Sequence, residues 1–117
     1  MLPVLIEIEN EYVLLVLLYR KPGPIGTFIQ DLIEQLSEFP TQHRTLIVGD
    51  FNLDQMLSEN VQKVGPLVTQ FKLYQRSDYT THINGGILDL VFDNTNENIV
   101  RWLPSPYSDH FVLLINI

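Results

Sequence analysis

The residues of this chain that could do chemistry are acids, an amide and a histidine that stand beside strand-like sequence. Asp50 and Asn52 come just after the run 45–48, which is rich in strand-forming residues and bounded by Gly49. Such a run is typical of a strand buried on both faces. In α/β proteins, catalytic and ligand-binding groups gather just past the carboxyl ends of these strands. Gly-Asp-x-Asn equally suits an ordinary turn, because Asp and Asn are common turn residues.

Asp89 stands inside a second apolar run, Leu88-Asp89-Leu90-Val91-Phe92. An ionised carboxylate in a buried strand is costly unless it is paired or coordinated. If the strand alternates, Asp89 points to the face opposite Leu88 and Leu90. The alternative is that Asp89 faces solvent at the edge of a sheet. Its place within the run favours a paired or coordinating carboxylate.

Asp109 and His110 open a third apolar run at the end of the chain. A single His at the start of a strand is more often a hydrogen-bonded structural residue than a catalyst. An Asp–His pair, with Asp89 within reach, would instead fix the imidazole tautomer and hold the ring ready to meet a phosphate or transfer a proton. Asp109 would then be able to bind a divalent ion. We assign His43 and His82 to the surface, with His82 a loop contact at most.

The composition describes one domain over residues 1–117. Apolar residues make up 45% and charged residues 18% of the chain, which is ordinary for a globular protein with a sizeable core. The absence of cysteine excludes disulfides and thiolate metal sites. The net charge of −7, with 7 Lys and Arg against 14 Asp and Glu, argues against an autonomous DNA-binding protein. A phosphate ligand would need a metal ion or basic groups from elsewhere.

The apolar start of the chain raises the question of a membrane segment. Glu7, Glu9, Asn10 and Glu11 interrupt it, and the remaining run 12–18 is too short to span a bilayer. The start also lacks the basic residues and cleavage site of a signal peptide. We therefore predict that this segment is core and that the protein makes no membrane contact.

The elements that must position the polar residues follow from the hydrophobic pattern. Strands are predicted over residues 3–8, 12–19, 45–48, 87–92, 99–103 and 111–117. An apolar stripe predicts a helix over residues 25–39 that Pro40 ends; its members are Phe28, Ile29, Leu32, Ile33 and Leu36.

The remaining segments are predicted to be less regular. Residues 53–63 are expected to be mainly irregular, with Pro66 in the first turn of a short helix. Residues 75–86 are expected to form an exposed loop, and Tyr19 to stand at a strand end. The order of elements predicts an α/β (layered α+β) fold with mostly antiparallel strands covered by helices.

Three motifs resemble the endonuclease/exonuclease/phosphatase superfamily in their order and context: 46–52 (Leu-Ile-Val-Gly-Asp-Phe-Asn), 88–92 and Ser108-Asp109-His110. Within it, the chain is most similar to the apurinic-like endonuclease domain of jockey-type non-LTR retrotransposons. Tyr19-Arg20-Lys21-Pro22 resembles the Tyr-Arg-Pro-Pro turn of that branch, and residues 81–89 agree with it. The resemblance covers essentially the whole chain. It implies the C-terminal half of a DNase I-like two-sheet sandwich with flanking helices.

The resemblance also implies a role for each matching residue. Asp50 would orient or deprotonate the attacking water, and Asn52 would hold that water or the scissile phosphate. Tyr19 would donate to the phosphate. His110, steadied by Asp89, would stabilise charge developing on the phosphate. Asp109, with Asp50, would bind Mg²⁺ or Mn²⁺, and DNA would be the substrate in an intracellular compartment, with the nucleus a candidate.

The sequence departs from the superfamily in its amino-terminal half. Members carry there an Asn and a metal-binding Glu that this chain does not match; Glu7, Glu9 and Glu11 are candidates by residue type only. Metal binding and autonomous activity are therefore expected to be weak. Half a sandwich would also expose an apolar sheet face, so we expect a homo-oligomer or a protein partner that covers it. The alternatives are a non-catalytic interaction module, a mobile-element remnant without selected function, and a phosphatase of small or lipid phosphates.

Overall fold

The first strands of the chain form a hairpin, as the two apolar runs predict. The computed structural model describes residues 1–39, 44–77, 85–95, 99–103, 105, 108–110 and 112–116. Strand β1 (Leu2–Ile8) pairs antiparallel with β2 (Glu11–Tyr19). Glu9 and Asn10 make the turn at φ values of 50° and 66°, a left-handed conformation typical of tight hairpin turns. The central strand β3 (Arg44–Asp50) lies parallel to β2.

The remaining elements complete one mixed sheet and one separate hairpin. Helix α1 (Phe28–Leu36) connects β2 to β3, and α2 (Ser58–Phe71) follows β3. Strands β4 (Tyr74–Gln75) and β5 (Asp89–Asp93) add antiparallel to give the order β1-β2-β3-β5-β4. Strands β6 (Ile99–Leu103) and β7 (Val112–Asn116) pair with each other. The predicted α/β class with mostly antiparallel strands is confirmed, with β2–β3 the parallel pair.

Both helices cover one face of the five-stranded sheet. Alternate residues of the inner strands, among them Val16, Ile47 and Phe92, are fully buried there. The stripe predicted for α1 packs on them through Ile29, Leu32 and Leu36. No helix in the described part of the chain is long and apolar enough to cross a membrane.

The opposite face of the sheet is only partly covered, and we call its β1–β2 part the open face. Its residues pair across the two strands in register, as Leu2 with Leu17 and Val4 with Leu15. Leu2 is 59% exposed, Val4 37% and Leu17 39%. The open face comprises Leu2, Val4, Ile6, Ile8, Leu15 and Leu17. The expected exposed apolar sheet face is thus present.

The structure corrects the prediction for residues 53–71. A single helix begins at Ser58, so Pro66 lies inside it and not in its first turn. Proline removes one hydrogen bond to the carbonyl four residues earlier. Here that carbonyl belongs to Gln62, which is exposed, as is Pro66, so water can take the place of the lost donor.

Other differences are at element ends. Helix α1 is shorter than residues 25–39, β5 begins at Asp89 and not at residue 87, and Tyr74–Gln75 form a strand where a loop was expected to start. Pro40, His43 and His82 lie outside the described residues, as does most of the predicted 75–86 loop.

Candidate active site

The strand register places three of the predicted site residues side by side. Asp50 ends β3 and pairs with Tyr19 at the end of β2 on one side and with Asp89 at the start of β5 on the other. Residues paired across neighbouring strands project to the same face, about 5 Å apart. Tyr19 is 68% exposed, so its phenol is accessible on the face that carries the two carboxylates.

The loop after β3 presents its polar residues because its apolar ones are anchored. Phe51 and Leu53 are buried, and the Phe51 ring meets Phe28 and Phe92 edge-on at centroid distances of 6.0 and 5.4 Å. Asp50 and Asn52 alternate with these anchors. Asn52 takes a φ of 48°, and its backbone N–H donates to Asp50 Oδ1 at 3.0 Å, as in an Asx turn.

The Asn52 side chain is directed at the neighbouring loop. Its Nδ2 donates to the backbone carbonyl of Arg20 at 2.5 Å. The amide oxygen remains the side-chain atom through which Asn52 could accept a hydrogen bond from a ligand. The structure therefore gives Asn52 a part in building the loop, besides the predicted contact with water or phosphate.

His110 joins this group from a different part of the chain, just before β7. Its Nδ1 lies 2.6 Å from Asp89 Oδ2, so the predicted Asp–His pair is formed in the structure. On the other side of the ring, Nε2 lies 3.6 Å from Asp50 Oδ2 and 3.9 Å from Asp109 Oδ1, which are beyond hydrogen-bond distance. The imidazole therefore lies among three carboxylates.

These carboxylates determine the charge of His110. Burial lowers the pKa of His110, but the hydrogen bond with Asp89 and the negative charges of Asp89, Asp50 and Asp109 together outweigh it, and the pKa is raised above its ordinary value of 6.5. Opposite charges within a few ångströms favour the charged form of a titrating group. The site thus favours an imidazolium whose Nδ1 donates to Asp89.

The same residues could hold a divalent cation. One ligand atom from each of Asp50, Asp89 and His110 can be chosen so that all lie within 4.8 Å of one another. Mg²⁺ and Mn²⁺ prefer carboxylate and other oxygen ligands. Since Asp89 is engaged by His110, the carboxylates of Asp50 and of the 58% exposed Asp109 are the better oxygen donors. The donor set fits such an ion.

Glu7, Glu9 and Glu11 do not approach this site. They flank the β1–β2 turn, whereas Tyr19 is at the other end of β2. Eight strand residues span about 26 Å. These three acids therefore cannot act as ligands in the cluster around Asp50.

Several residues that support the site were given no role of their own from the sequence. The buried hydroxyl of Ser77 donates to the Asp89 carbonyl at 2.7 Å. Asp54 Oδ1 accepts from Ile87 N–H at 2.8 Å and so joins the β3 loop to the approach to β5. The guanidinium of Arg20 holds the same β3 loop. Their partners are backbone groups far along the chain, which a local pattern does not reveal.

The chain folds as an α/β domain around a mixed sheet, and solved structures share this fold. An endonuclease/exonuclease/phosphatase family protein from Leptotrichia buccalis C-1013-b matches with a TM-score of 0.69 and 16% identity over 98% of this chain and 53% of its own. Cytolethal distending toxin from Actinobacillus actinomycetemcomitans matches with a TM-score of 0.56 and 19% identity, over 97% of this chain and 51% of its own. No family model and no curated protein matches the sequence.

These likenesses show the fold that the motifs predicted, a DNase I-like α/β fold. The chain spans about half the length of the two solved chains. At identities below 20% the likeness extends to the fold alone, so the activity must be argued from the site.

Proposed function

We propose that this chain is an endonuclease-type domain that hydrolyses phosphodiester bonds in DNA with the help of a divalent cation. The observation that carries the proposal is the position of His110, bonded to Asp89 through Nδ1 while Nε2 faces Asp50. Acids, an amide and a positively charged imidazole favour hydrolysis by water over a covalent nucleophile.

Asp50 and His110 have different tasks at the reacting phosphate. Asp50 has one oxygen fixed by the Asn52 N–H, and its other oxygen, toward His110, orients the attacking water and accepts its proton. The water oxygen bonds to phosphorus as the P–O bond to the leaving sugar oxygen breaks, and that oxygen takes a proton from solvent. His110 donates from Nε2 to a phosphate oxygen and stabilises its growing negative charge. Its raised pKa keeps it a donor near neutral pH and makes it a poor general base.

Tyr19 and Asn52 place the phosphate. The exposed phenol of Tyr19, in register with Asp50, donates to a phosphate oxygen. The Asn52 amide contacts the water or the scissile phosphate from the loop that Phe51 and Leu53 anchor.

Asp50 and Asp109 would hold the cation, Mg²⁺ or Mn²⁺. The ion would neutralise negative charge at the phosphate. The chain has a net charge of −7, so this positive charge has to come from a bound ion. Few protein ligands are available for the ion, so we expect weak binding and a slow isolated domain.

The experiment is a titration of the purified chain with Mg²⁺ and Mn²⁺, followed through the amide signals of Asp50, Asn52, Asp89, Asp109 and His110 by NMR. Supercoiled DNA and abasic-site DNA are incubated in parallel. Shifts confined to these residues, and nicking that Asp50→Ala and His110→Ala abolish, would support the proposal. Glu34→Ala removes an exposed carboxylate on α1 and should change neither readout. Nicking that survives Asp50→Ala would end the catalytic proposal.

From the motifs we further propose that the domain belongs with the jockey-type retrotransposon endonucleases and acts inside the cell, with the nucleus a candidate compartment. The test is the surrounding gene. A reverse-transcriptase reading frame downstream would support this origin, and a gene without mobile-element sequence would contradict it.

A second candidate function is that of an interaction module that works by associating with another copy of itself. The observation in its favour is the open face, whose leucines and valine are accessible on β1 and β2. A contiguous exposed apolar face is typical of an association surface. The oligomeric state tests it, as the Discussion describes.

A further inference from the structure

Arg20, the first residue after β2, has a buried side chain whose partners are unusual for a guanidinium. Arg20 is only 8% exposed. Buried charges are normally paired with an opposite charge. In the described part of the chain, the hydrogen bonds of this guanidinium go to backbone carbonyls, and the Phe28 ring lies 5.9 Å away.

The carbonyls belong to the two loops that border the candidate active site. Nε donates to Phe51 at 2.7 Å and Nη2 donates to Asn52 at 2.9 Å, in the loop after β3. Nη1 donates to Gly23 at 2.9 Å and to Pro24 at 3.4 Å, in the loop after β2. One planar group thus fixes the relative position of both loops.

The backbone of Arg20 strengthens the connection to the β3 loop. Its N–H donates to the Asp50 carbonyl at 2.8 Å, and its own carbonyl accepts from Asn52 Nδ2. Residues 50, 51 and 52 are therefore each bonded to Arg20, about thirty positions earlier in the chain. This loop includes Asn52 in the left-handed region, a conformation that persists only where its surroundings enforce it.

We propose that Arg20 is a positioning residue that holds Asp50 and Asn52 in their working geometry, acting through the backbone of the β3 loop. The predicted effect of Arg20 on DNA nicking rests on the proposed function, whereas its predicted effect on the conformation of the β3 loop does not. Arginine suits this place because its planar fork offers five donors in fixed directions. A lysine ammonium is a point charge that can donate to only some of these backbone carbonyls.

The test compares Arg20→Lys and Arg20→Met with Lys21→Met. Lys21 is exposed, so its substitution removes the same charge from the same loop without touching the carbonyl contacts. The first readout is the pair of side-chain amide signals of Asn52 and Asn60. Asn60 Nδ2 donates to the Asp54 carbonyl, farther along the same loop and beyond the residues that Arg20 bonds, and so reports whether the rest of the loop stays in place.

In Arg20→Lys we expect the Asn52 amide to shift while the Asn60 amide stays in place, which shows local repositioning in a folded protein. The rate of DNA nicking at saturating DNA should fall at least about tenfold while KM changes little, since a misplacement of about 1 Å can cost about a hundredfold in rate. Arg20→Met should show the larger effect. If it does not fold, Arg20→Lys decides.

An unchanged Asn52 amide in Arg20→Lys would overturn the inference, as would an equal loss of nicking in Lys21→Met. A wild-type chain that nicks no DNA would refute the proposed function instead. In that case the Asn52 and Asn60 signals still decide whether Arg20 holds the loop.

Discussion

Both ring nitrogens of His110 face carboxylates, and this arrangement determines whether the ring acts as a base or as a hydrogen-bond donor. Asp89 accepts a hydrogen bond from Nδ1–H, while Asp50 and Asp109 lie on the Nε2 side. A neutral imidazole could serve as a base, but an imidazolium is a hydrogen-bond donor from both nitrogens. The geometry and the raised pKa agree in making His110 a donor toward an anion.

We predict that Asp89→Asn lowers the pKa of His110. The substitution removes the charge and weakens the hydrogen bond that raise this pKa, while the burial that lowers it remains. The measurement is a pH titration of the His110 ring protons by NMR without metal. Glu34→Gln, at an exposed position on α1, is the matched control and should leave the titration unchanged. A His110 pKa that stays in place in Asp89→Asn would show that the pair does not set it.

The same pair makes stability depend on pH in a defined direction. The folded-state pKa of His110 is raised above 6.5, so protonation stabilises the folded chain. This contribution is fully present below the unfolded value and is lost as pH rises through the folded one. We predict that the free energy of unfolding of the wild type, minus that of His110→Gln, is larger at about pH 6 than at about pH 9. Urea unfolding in EDTA measures it, and taking the difference removes the contributions of His43 and His82. A difference that grew with pH would contradict the assignment.

At the scale of elements, the site depends on how closely β2 and β3 approach. Gly49 pairs with Leu18, and a Cβ at position 49 would lie 1.8 Å from the Leu18 carbonyl oxygen. The Leu18 carbonyl belongs to the backbone of β2, so it cannot move away without displacing the strand. Tyr19 and Asp50 are the next residues on the two strands, and they would be displaced together.

We therefore predict that Gly49→Ala destabilises the chain by about 3 kcal/mol or more, at the upper end of what overpacking costs. It should also shift the Asp50 and Tyr19 amide signals. Gly65→Ala is the control, because a Cβ there meets nothing within 4 Å. The helix propensity gained there is offset by the following Pro66, so its effect should stay within about 1 kcal/mol. Urea unfolding of both variants measures this, and equal stability of the two would refute the steric argument.

Strands built on a continuous apolar run could be predicted from the sequence, whereas a helix whose apolar stripe is broken was partly missed. Strand β6 occupies the predicted residues 99–103. Helix α2 was partly missed because Asn60 takes a buried position in line with Val64 and Leu67, so the apolar stripe of its first turns is broken. Asn60 can be buried because its amide bonds to the Asp54 carbonyl, a contact that the local sequence does not reveal.

The same limit applies to the site. Asp50, Asp89 and His110 could be chosen from the sequence because each is a polar residue beside an apolar run. Arg20 could not, since its side-chain acceptors are backbone carbonyls as far as thirty-two residues away. A polar residue beside an apolar run can be recognised in the sequence. A side chain that holds a loop through backbone hydrogen bonds can be recognised only once the fold is known.

At the scale of the whole molecule, the open face and the candidate site are continuous. Tyr19 follows Leu17 on the same side of β2, as Asp50 follows Val48 on β3, because alternate residues of a strand share a face. A layer that packed on the open face would therefore border the carboxylate cluster. The two solved chains that match this fold are about twice as long as this chain and hold residues beyond the part that it matches.

We predict that the isolated chain covers the open face with a second copy of itself. Pairing along the edge of β1 is disfavoured, since Pro3 lacks an N–H, so the copies are expected to pack face to face. Sedimentation velocity should show a dimer that dissociates on dilution. Leu17→Lys, which places a charge in the interface, should weaken the dimer at least about tenfold.

Met56→Lys provides the control for that measurement, because it adds the same charge at a side chain that is 64% exposed in the loop after β3. It should leave the dimer unchanged. A wild type that remains monomeric up to about 100 μM, far above the micromolar range in which specific dimers form, would contradict self-association. So would equal weakening by the two lysines, since a charge effect spread over the whole molecule would then explain both. If the dimer forms and Leu17→Lys alone dissociates it, nicking by the two species decides whether the second copy completes the site or only shields the sheet.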